Sequence, residues 1–361
     1  IDELEPGDRV MLADGKVGLR VESADADRVE CVVITAGEIR SRQGINLPGV
    51  KLSVSAMLPR DIDNAIWGAQ NGIDFISLSF VRRADDVLSL RKLLESHHSG
   101  ALVIAKIEKP EALVDLDAIV EATDGVMVAR GDLGVEIDIA ATPVVQKRII
   151  RACKEKMKPV IVATQMLESM HHDTRPTRAE ASDVANAILD GTDACMLSGE
   201  TAIGDYPVRA VEMMNRIMLC TESELTHNVT EPGRSQRVHP ITSAVTNSAI
   251  DIAESIGAKL IVIATRSGAT AFVKSKSRSL ISTLGASEDI ATLRRMNLFW
   301  GIRPIQASQL EDTPRFIGEI CRWGKEHEYL QAGDQVVFVT GTGVMEKAHN
   351  VVIVHTVEPN E

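Results

Sequence analysis

Between residues 53 and 226, five short apolar runs alternate with stretches of helical character: Phe75–Phe80, Leu102–Ala105, Gly125–Ala129, Pro159–Ala163 and Asp193–Leu197. Runs that are apolar throughout, rather than at every second position, predict parallel strands buried on both faces. Each run ends in polar residues: Arg82-Arg83, Lys106-Ile107-Glu108, Arg130-Gly131-Asp132, Thr164-Gln165 and Ser198-Gly199-Glu200-Thr201. Polar chemistry gathered at the carboxyl ends of successive parallel strands is the active-site arrangement of a (β/α) barrel. Ordinary loop polarity explains one or two such ends, but not five in succession. The fold class is therefore α/β.

The flanks read differently. Residues 1 to about 50 carry β-rich runs at Arg9–Leu12, Gly18–Val21 and Arg28–Ile34, separated by Asp14-Gly15 and by acidic turn residues around Asp25 and Asp27. Asn46–Gly49 reads as a hinge. Downstream, a second α/β pattern predicts a helix over Thr242–Ile256, a strand over Lys259–Ala264 and a helix opened by Thr265–Gly268. Late strands are predicted at Gly333–Val339 and His349–Val357. Gln236–Pro240, after Glu231-Pro232-Gly233, reads as a linker. The resulting boundaries are 1–50, 51–228 and 229–361, with no internal repeat.

Composition narrows the chemistry. Charged residues make up 25% of the 361 positions and the formal net charge is −12, which disfavours a polyanion-binding surface. Aromatic residues are only 3%, too few for stacking platforms on single-stranded nucleic acid. A phosphorylated substrate must then be met by a few local cations, a metal ion or helix N-termini. Cys31, Cys153, Cys195, Cys220 and Cys321 form no CxxC pair, so neither a disulfide framework nor a structural zinc site is indicated, and a reduced cytoplasmic setting fits. No apolar run approaches the ~18 residues that span a membrane. The chain opens on Ile1 and reads like mid-protein text, so the expectation is that the true N-terminus lies upstream.

Lys106-Ile107-Glu108 and Arg130-Gly131-Asp132 form the sharpest cluster. Lys106 and Glu108 are two apart and so can share one side of a strand. Glu108 and Asp132, from neighbouring strands, are hard carboxylates suited to magnesium or manganese. Lys106 is then a point charge for phosphate or enolate oxygens. Gly131 allows close backbone approach and offers an N–H to an anion. A salt-bridged strand end explains any single one of these charges. Thr164 can bind a carboxylate or pass a proton; capping the next helix explains its position equally well. Ser198–Thr201 resembles a cap as much as a site. Arg175, Arg178 and Glu180 read as a loop charge network, and His171-His172 as a mobile loop.

The segments Val103–Glu108, Met127–Gly134, Ala163–Met170, Arg175–Glu180 and Leu197–Ala202 resemble, in order and spacing, the motifs of the pyruvate kinase family. The resemblance covers nearly the whole chain and is strongest over 70–210. It implies a (β/α)8 TIM barrel with about its last five strands present, the later part of an inserted β-domain and a C-terminal α/β regulatory domain. It implies phosphoryl transfer from phosphoenolpyruvate to ADP, giving pyruvate and ATP. Lys106 would stabilise the phosphoryl group and the enolate, and Glu108 and Asp132 would hold Mg²⁺ or Mn²⁺. Gly131, Asp132 and Thr164 would grip the substrate carboxylate, with Thr164 on the path that protonates the enolate carbon. The family's Asn-x-Ser-His-Gly and Asp-Thr-Lys-Gly-Pro-Glu-Ile-Arg motifs do not occur here, so the resemblance is to an N-terminally truncated member. Most ligands for K⁺ would lie in the missing part.

Thr265, Arg266, Ser267, Gly268 and Thr270 resemble the family's phosphate-binding loop for a sugar-phosphate or nucleotide effector; simple N-capping explains them as well. Thr340–Gly343 lacks the Lys-Ser/Thr of a P-loop and reads as a turn. The family is generally a homo-tetramer. Two other readings compete: a different phosphoenolpyruvate- or pyruvate-handling barrel, and a non-catalytic effector-binding or assembly module.

Overall fold

Alternation along one strand explains the central sheet. In Leu102–Ile107, Val103, Ala105 and Ile107 are fully buried and pack with Leu90, Ile119 and Ile149 of the surrounding helices. Ile104 and Lys106 take the opposite face, toward the inside of the sheet's curve. The computed structural model describes residues 3–13, 15–41, 43–50, 53–224, 239–308, 310, 312–340 and 351–359. The chain divides into two compact units, Ile1–Cys153 with Lys158–Glu224, and Lys154–Met157 with Leu225–Glu361.

The first unit holds two sheets. Strands β1 (Arg9–Leu12), β2 (Val17–Asp25), β3 (Arg28–Thr35) and β4 (Ile45–Asn46) form an antiparallel sheet in the order β3-β2-β1-β4. Asn46, expected in a hinge, is therefore part of the sheet, and the turn begins only after it, with Val50 N–H donating to Leu47 O at 3.2 Å. Strands β5 (Phe75–Leu78), β6 (Leu102–Ile107), β7 (Gly125–Ala129), β8 (Val160–Ala163) and β9 (Ala194–Met196) run parallel in sequence order. The first apolar run stops being a strand at Leu78 because Phe80 turns the backbone to φ +53°.

Five strands in sequence order, with helices between them, are a barrel segment rather than a closed barrel, which takes eight. Among the described residues β5 pairs only with β6, and β9 only with β8. A cavity of about 920 Å³ runs along the free side of β5, lined in part by Leu58, Ala65, Trp67, Phe75, Ser77 and Arg82. Trp67 is 61% exposed there.

The second unit is a sheet between two helical layers. Strands β10 (Leu260–Ala264), β11 (Thr283–Ser287), β12 (Ile302–Gln306) and β13 (Gln335–Thr340) are parallel, and β14 (Val351–Thr356) is antiparallel to β13. The order is β12-β11-β10-β13-β14. Leu260, Val262 and Phe338 pack against Phe316 and Ile320 on one face. Ile261, Ile263 and Val337 pack against Ala249 and Ile250 on the other. Of the expected linker, His239 and Pro240 open helix Pro240–Ser255; its other residues and Gly341–Gly343 lie outside the described residues. Among the described residues no helix is long and apolar enough to cross a membrane.

Lys274, on helix Ala269–Ser277, is fully buried in this unit. Its Nζ donates to Ser279 O and Ile281 O, each at 2.9 Å, tying down the turn that follows the helix. Burial pushes this amine down to about 7, with Glu254 opposing and Arg278 adding to the shift. The unfolded side chain titrates near ~10.4. Between those limits the unfolded chain holds a proton that the native chain lacks, so stability rises with pH. Urea unfolding from pH 7.5 to 9.5 is expected to show this rise in the wild type relative to Lys274→Met, with a difference slope approaching ~1.4 kcal/mol per pH unit. Parallel profiles would refute the assignment.

Candidate active site

The period of two that sends Val103, Ala105 and Ile107 outward brings Lys106 and Glu108 together at the inner carboxyl end of β6. Lys106 Nζ lies 2.6 Å from Glu108 Oε1. The turn after β5, which the sequence reading did not single out, grips both groups. Lys106 Nζ also donates to Ser79 Oγ at 3.0 Å, and Phe80 N–H donates to Glu108 Oε2 at 2.6 Å. Glu108 is 1% exposed, so these partners stand in for water around its carboxyl group. The left-handed backbone of Phe80 is what points its amide at the carboxylate.

On the next strands, Gly131 N–H donates to Thr164 Oγ1 at 2.7 Å, and that hydroxyl donates to Ala163 O at 2.6 Å. The Gly131 amide, expected to face an anion, is thus turned to Thr164. A Cβ at Gly131 would sit 3.3 Å from Thr164 Oγ1, so a side chain there crowds the hydroxyl. Thr164 does not cap the next helical turn, Glu168–His171, which begins after Leu167. Thr164 and Gln165 have φ of +68° and +53°, a strained conformation for a β-branched residue above all. Arg130 holds them there: its guanidinium donates to Thr164 O at 2.9 and 3.2 Å and to Gln165 O at 3.1 Å. It also pairs with Asp183 at 2.5 Å. The sequence offered Arg130 only as a neighbour of Gly131; its burial and its contacts with Thr164, Gln165 and Asp183 are tertiary information.

Asp132 lies on helix Arg130–Glu136, beside Gly131 and next along the sheet from Glu108. Among the described residues no three His, Cys, Asp or Glu side chains converge to hold a metal. Two carboxylates suit Mg²⁺, which keeps waters and completes its shell with substrate phosphate oxygens. Glu108 and Asp132 match that donor chemistry by type, with both oxygens of Glu108 engaged in this structure by Lys106 and by Phe80 N–H. The nearby Cys195 thiol is pushed up to about 12 by burial, with Arg130 lowering and Asp183 raising it, so it stays protonated and supplies no nucleophile.

The remaining polar segments are structural. Glu200, 1% exposed, accepts from Leu167 N–H at 3.0 Å and Ser198 N–H at 2.8 Å, joining the loops after β8 and β9. Ser198 makes no side-chain cap. Glu180 forms a capping box with Thr177 on helix Arg178–Asp190 and accepts from Ser169 N–H at 2.7 Å, so it belongs to a helix rather than a loop network. Burial raises its carboxyl, but the bonds from Ser169 and Thr177 prevail and hold it below the usual range. Of His171-His172, expected in a mobile loop, His171 ends the short helix Glu168–His171 and lies against Gly199, while His172 is exposed. A Cβ on Gly199 would lie 2.2 Å from His171 Cε1, and His172 Nδ1 is 3.0 Å from Asp205 Oδ2.

In the second unit, Thr265–Gly268 leaves the carboxyl end of β10. Gly268 precedes helix Ala269–Ser277 at φ +80° without a side-chain cap, and its N–H donates to Thr265 Oγ1 at 3.0 Å. Thr292 Oγ1 donates to Arg266 O at 2.8 Å, fixing the loop from the next helix.

Comparison with known proteins follows these two units. A family model for the pyruvate kinase barrel domain matches residues 1–211, and one for the pyruvate kinase alpha/beta domain matches residues 243–355. The pyruvate kinase of Geobacillus stearothermophilus is 41% identical over 362 residues, covering 99% of this chain and 62% of the relative. That of Sporosarcina psychrophila is 40% identical over 350 residues, covering 96% and 60%. A crystal structure of a pyruvate kinase from Cryptosporidium parvum superposes with a TM-score of 0.87 at 32% identity, covering 99% of this chain and 73% of that one. The chain thus spans about 60% of the length of those two curated relatives.

Because Glu200 satisfies two backbone amides from a buried position, Glu200→Ala is expected to destabilise the first unit by about 2–4 kcal/mol. Denaturant unfolding measures this; a loss under ~0.5 kcal/mol would show that water replaces the carboxylate.

Proposed function

The chain belongs to the pyruvate kinase family, and from that premise we propose that it carries the metal and carboxylate side of a site for phosphoryl transfer from phosphoenolpyruvate to ADP. The products are pyruvate and ATP, in the last step of glycolysis. The observation that supports this most is the Lys106–Glu108 ion pair on β6 beside the Gly131–Thr164 hydrogen bond on the next two strands. Phosphoryl transfer needs charge neutralisation and positioning rather than covalent chemistry. Lys106, a compact cation at a strand end, sits against the oxygens that gain charge as the phosphoryl group leaves. Glu108 and Asp132 hold Mg²⁺ or Mn²⁺, which when bound supplies positive charge to the phosphate oxygens. Gly131, Asp132 and Thr164 receive the substrate carboxylate, which takes over the Gly131 N–H that Thr164 Oγ1 accepts in this structure. Thr164 Oγ1 lies on the path, through water, that protonates the enolate carbon. In this reading K⁺ is a second cofactor whose ligands lie mainly outside these residues.

The same reading gives Thr265, Arg266, Ser267, Gly268 and Thr270 to the phosphate of a sugar-phosphate or nucleotide effector. The loop leaves β10, whose two neighbours in the sheet are β11 and β13. The sheet's connections reverse direction there, and such a reversal opens a crevice at the carboxyl ends of the strands. Assembly as a homo-tetramer in the cytoplasm completes the proposal.

An open five-stranded segment does not enclose a substrate. The 361-residue chain alone is expected to show at most a trace of phosphoenolpyruvate- and ADP-dependent turnover, measured as pyruvate released. Joined to a polypeptide that supplies the remaining parallel strands, it is expected to become active. Lys106→Met in that assembly should then lower kcat by about 10²–10³-fold. Full turnover by the chain alone would refute the need for closure; an unaffected kcat in the variant would refute the role of Lys106.

A further inference from the structure

One buried ion pair outside the proposed site joins the two elements that carry its carboxylates. Lys109 Nζ lies 2.6 Å from Glu136 Oε1, and both residues are buried. Lys109 directly follows Glu108. Glu136 closes helix Arg130–Glu136, four residues beyond Asp132, which is one helical turn away and on the same side. The pair therefore connects the residue after one proposed metal ligand to the turn after the other. Asn46, on β4 of the antiparallel sheet, donates from Nδ2 to the same Glu136 oxygen at 3.4 Å and is itself buried.

A buried ion pair is weak evidence for stability, because desolvation offsets most of its attraction. Its geometry is informative instead. An apolar contact tolerates sliding, whereas a charge-assisted hydrogen bond fixes the separation of its partners. We propose that Lys109 and Glu136 are positioning residues that set the spacing between Glu108 and Asp132, and so the affinity for the divalent cation. Asn46 ties the antiparallel sheet to that spacing. The inference rests on the reading of Glu108 and Asp132 as the metal ligands.

Mn²⁺ titration followed by electron paramagnetic resonance tests this on the chain as it is, with thermal melting alongside. Glu136→Gln is expected to weaken Mn²⁺ binding by about 10–100-fold, the range for residues that orient metal ligands. The paired variant Lys109→Met with Glu136→Met removes both charges at similar volume and is expected to keep the melting temperature. Its Mn²⁺ affinity should nevertheless stay about tenfold or more below wild type. If the paired variant regains wild-type affinity, the pair merely fills space and the inference is overturned. Unchanged affinity in Glu136→Gln overturns it as well. If the wild-type chain binds no Mn²⁺, or if Glu108→Gln binds it as well as wild type, the metal reading fails and takes the inference with it.

Discussion

A parallel strand buried on both faces leaves its polar side chains only one outlet, the carboxyl end. That constraint organises the first unit. β6, β7 and β8 are apolar on both sides until their final residues, and there Lys106, Glu108, Asp132 and Thr164 emerge within three adjacent strands. Glu108 and Arg130 are buried here, and each finds its partners in the protein. Glu108 is met by Lys106 and by the Phe80 amide, and Arg130 by Asp183 and two carbonyl-bearing residues. The rim is consequently a connected set of hydrogen bonds, and its strained residues, Phe80, Thr164 and Gln165, are those whose backbone is bent to meet these partners.

Local pattern carried much of this into the sequence. All five parallel strands were legible as apolar runs, because burial on both faces leaves no other pattern. Lys106 and Glu108 were legible as a pair because a separation of two means one face. What escaped was whatever depends on a second element. The grip of Ser79 and Phe80 on the Lys106–Glu108 pair requires β5 and β6 to be neighbours. The guanidinium of Arg130 reads as one more charge at a strand end until the carbonyls of Thr164 and Gln165 are seen beneath it. The amide of Gly131 looked free for an anion, and only the approach of Thr164 engages it. Glu200 resembled part of a cap or a site and Glu180 a loop charge, because nothing local reveals the amides of Leu167 and Ser169 that they also satisfy.

The same contrast holds for charge. A chain of net charge −12 offers no broad attraction to phosphates, so the cations that matter must be held by structure. Lys106 sits between a carboxylate and a hydroxyl at the rim, with a quarter of its side chain exposed. Lys274 is sealed in the second unit on two carbonyls, where burial lowers its affinity for a proton. One amine is exposed enough to meet a substrate oxygen; the other serves only the turn it anchors.

The placement of Trp67 has an optical consequence. The chain has only three tryptophans. Trp300 lies under Arg278 and Trp323 under Arg303, each within a cation–π contact. Trp67 alone of the three lines the cavity at the free side of β5, wet over most of its surface. Trp67 is therefore the tryptophan whose emission would shift with whatever fills that cavity, while the other two sit in the second unit.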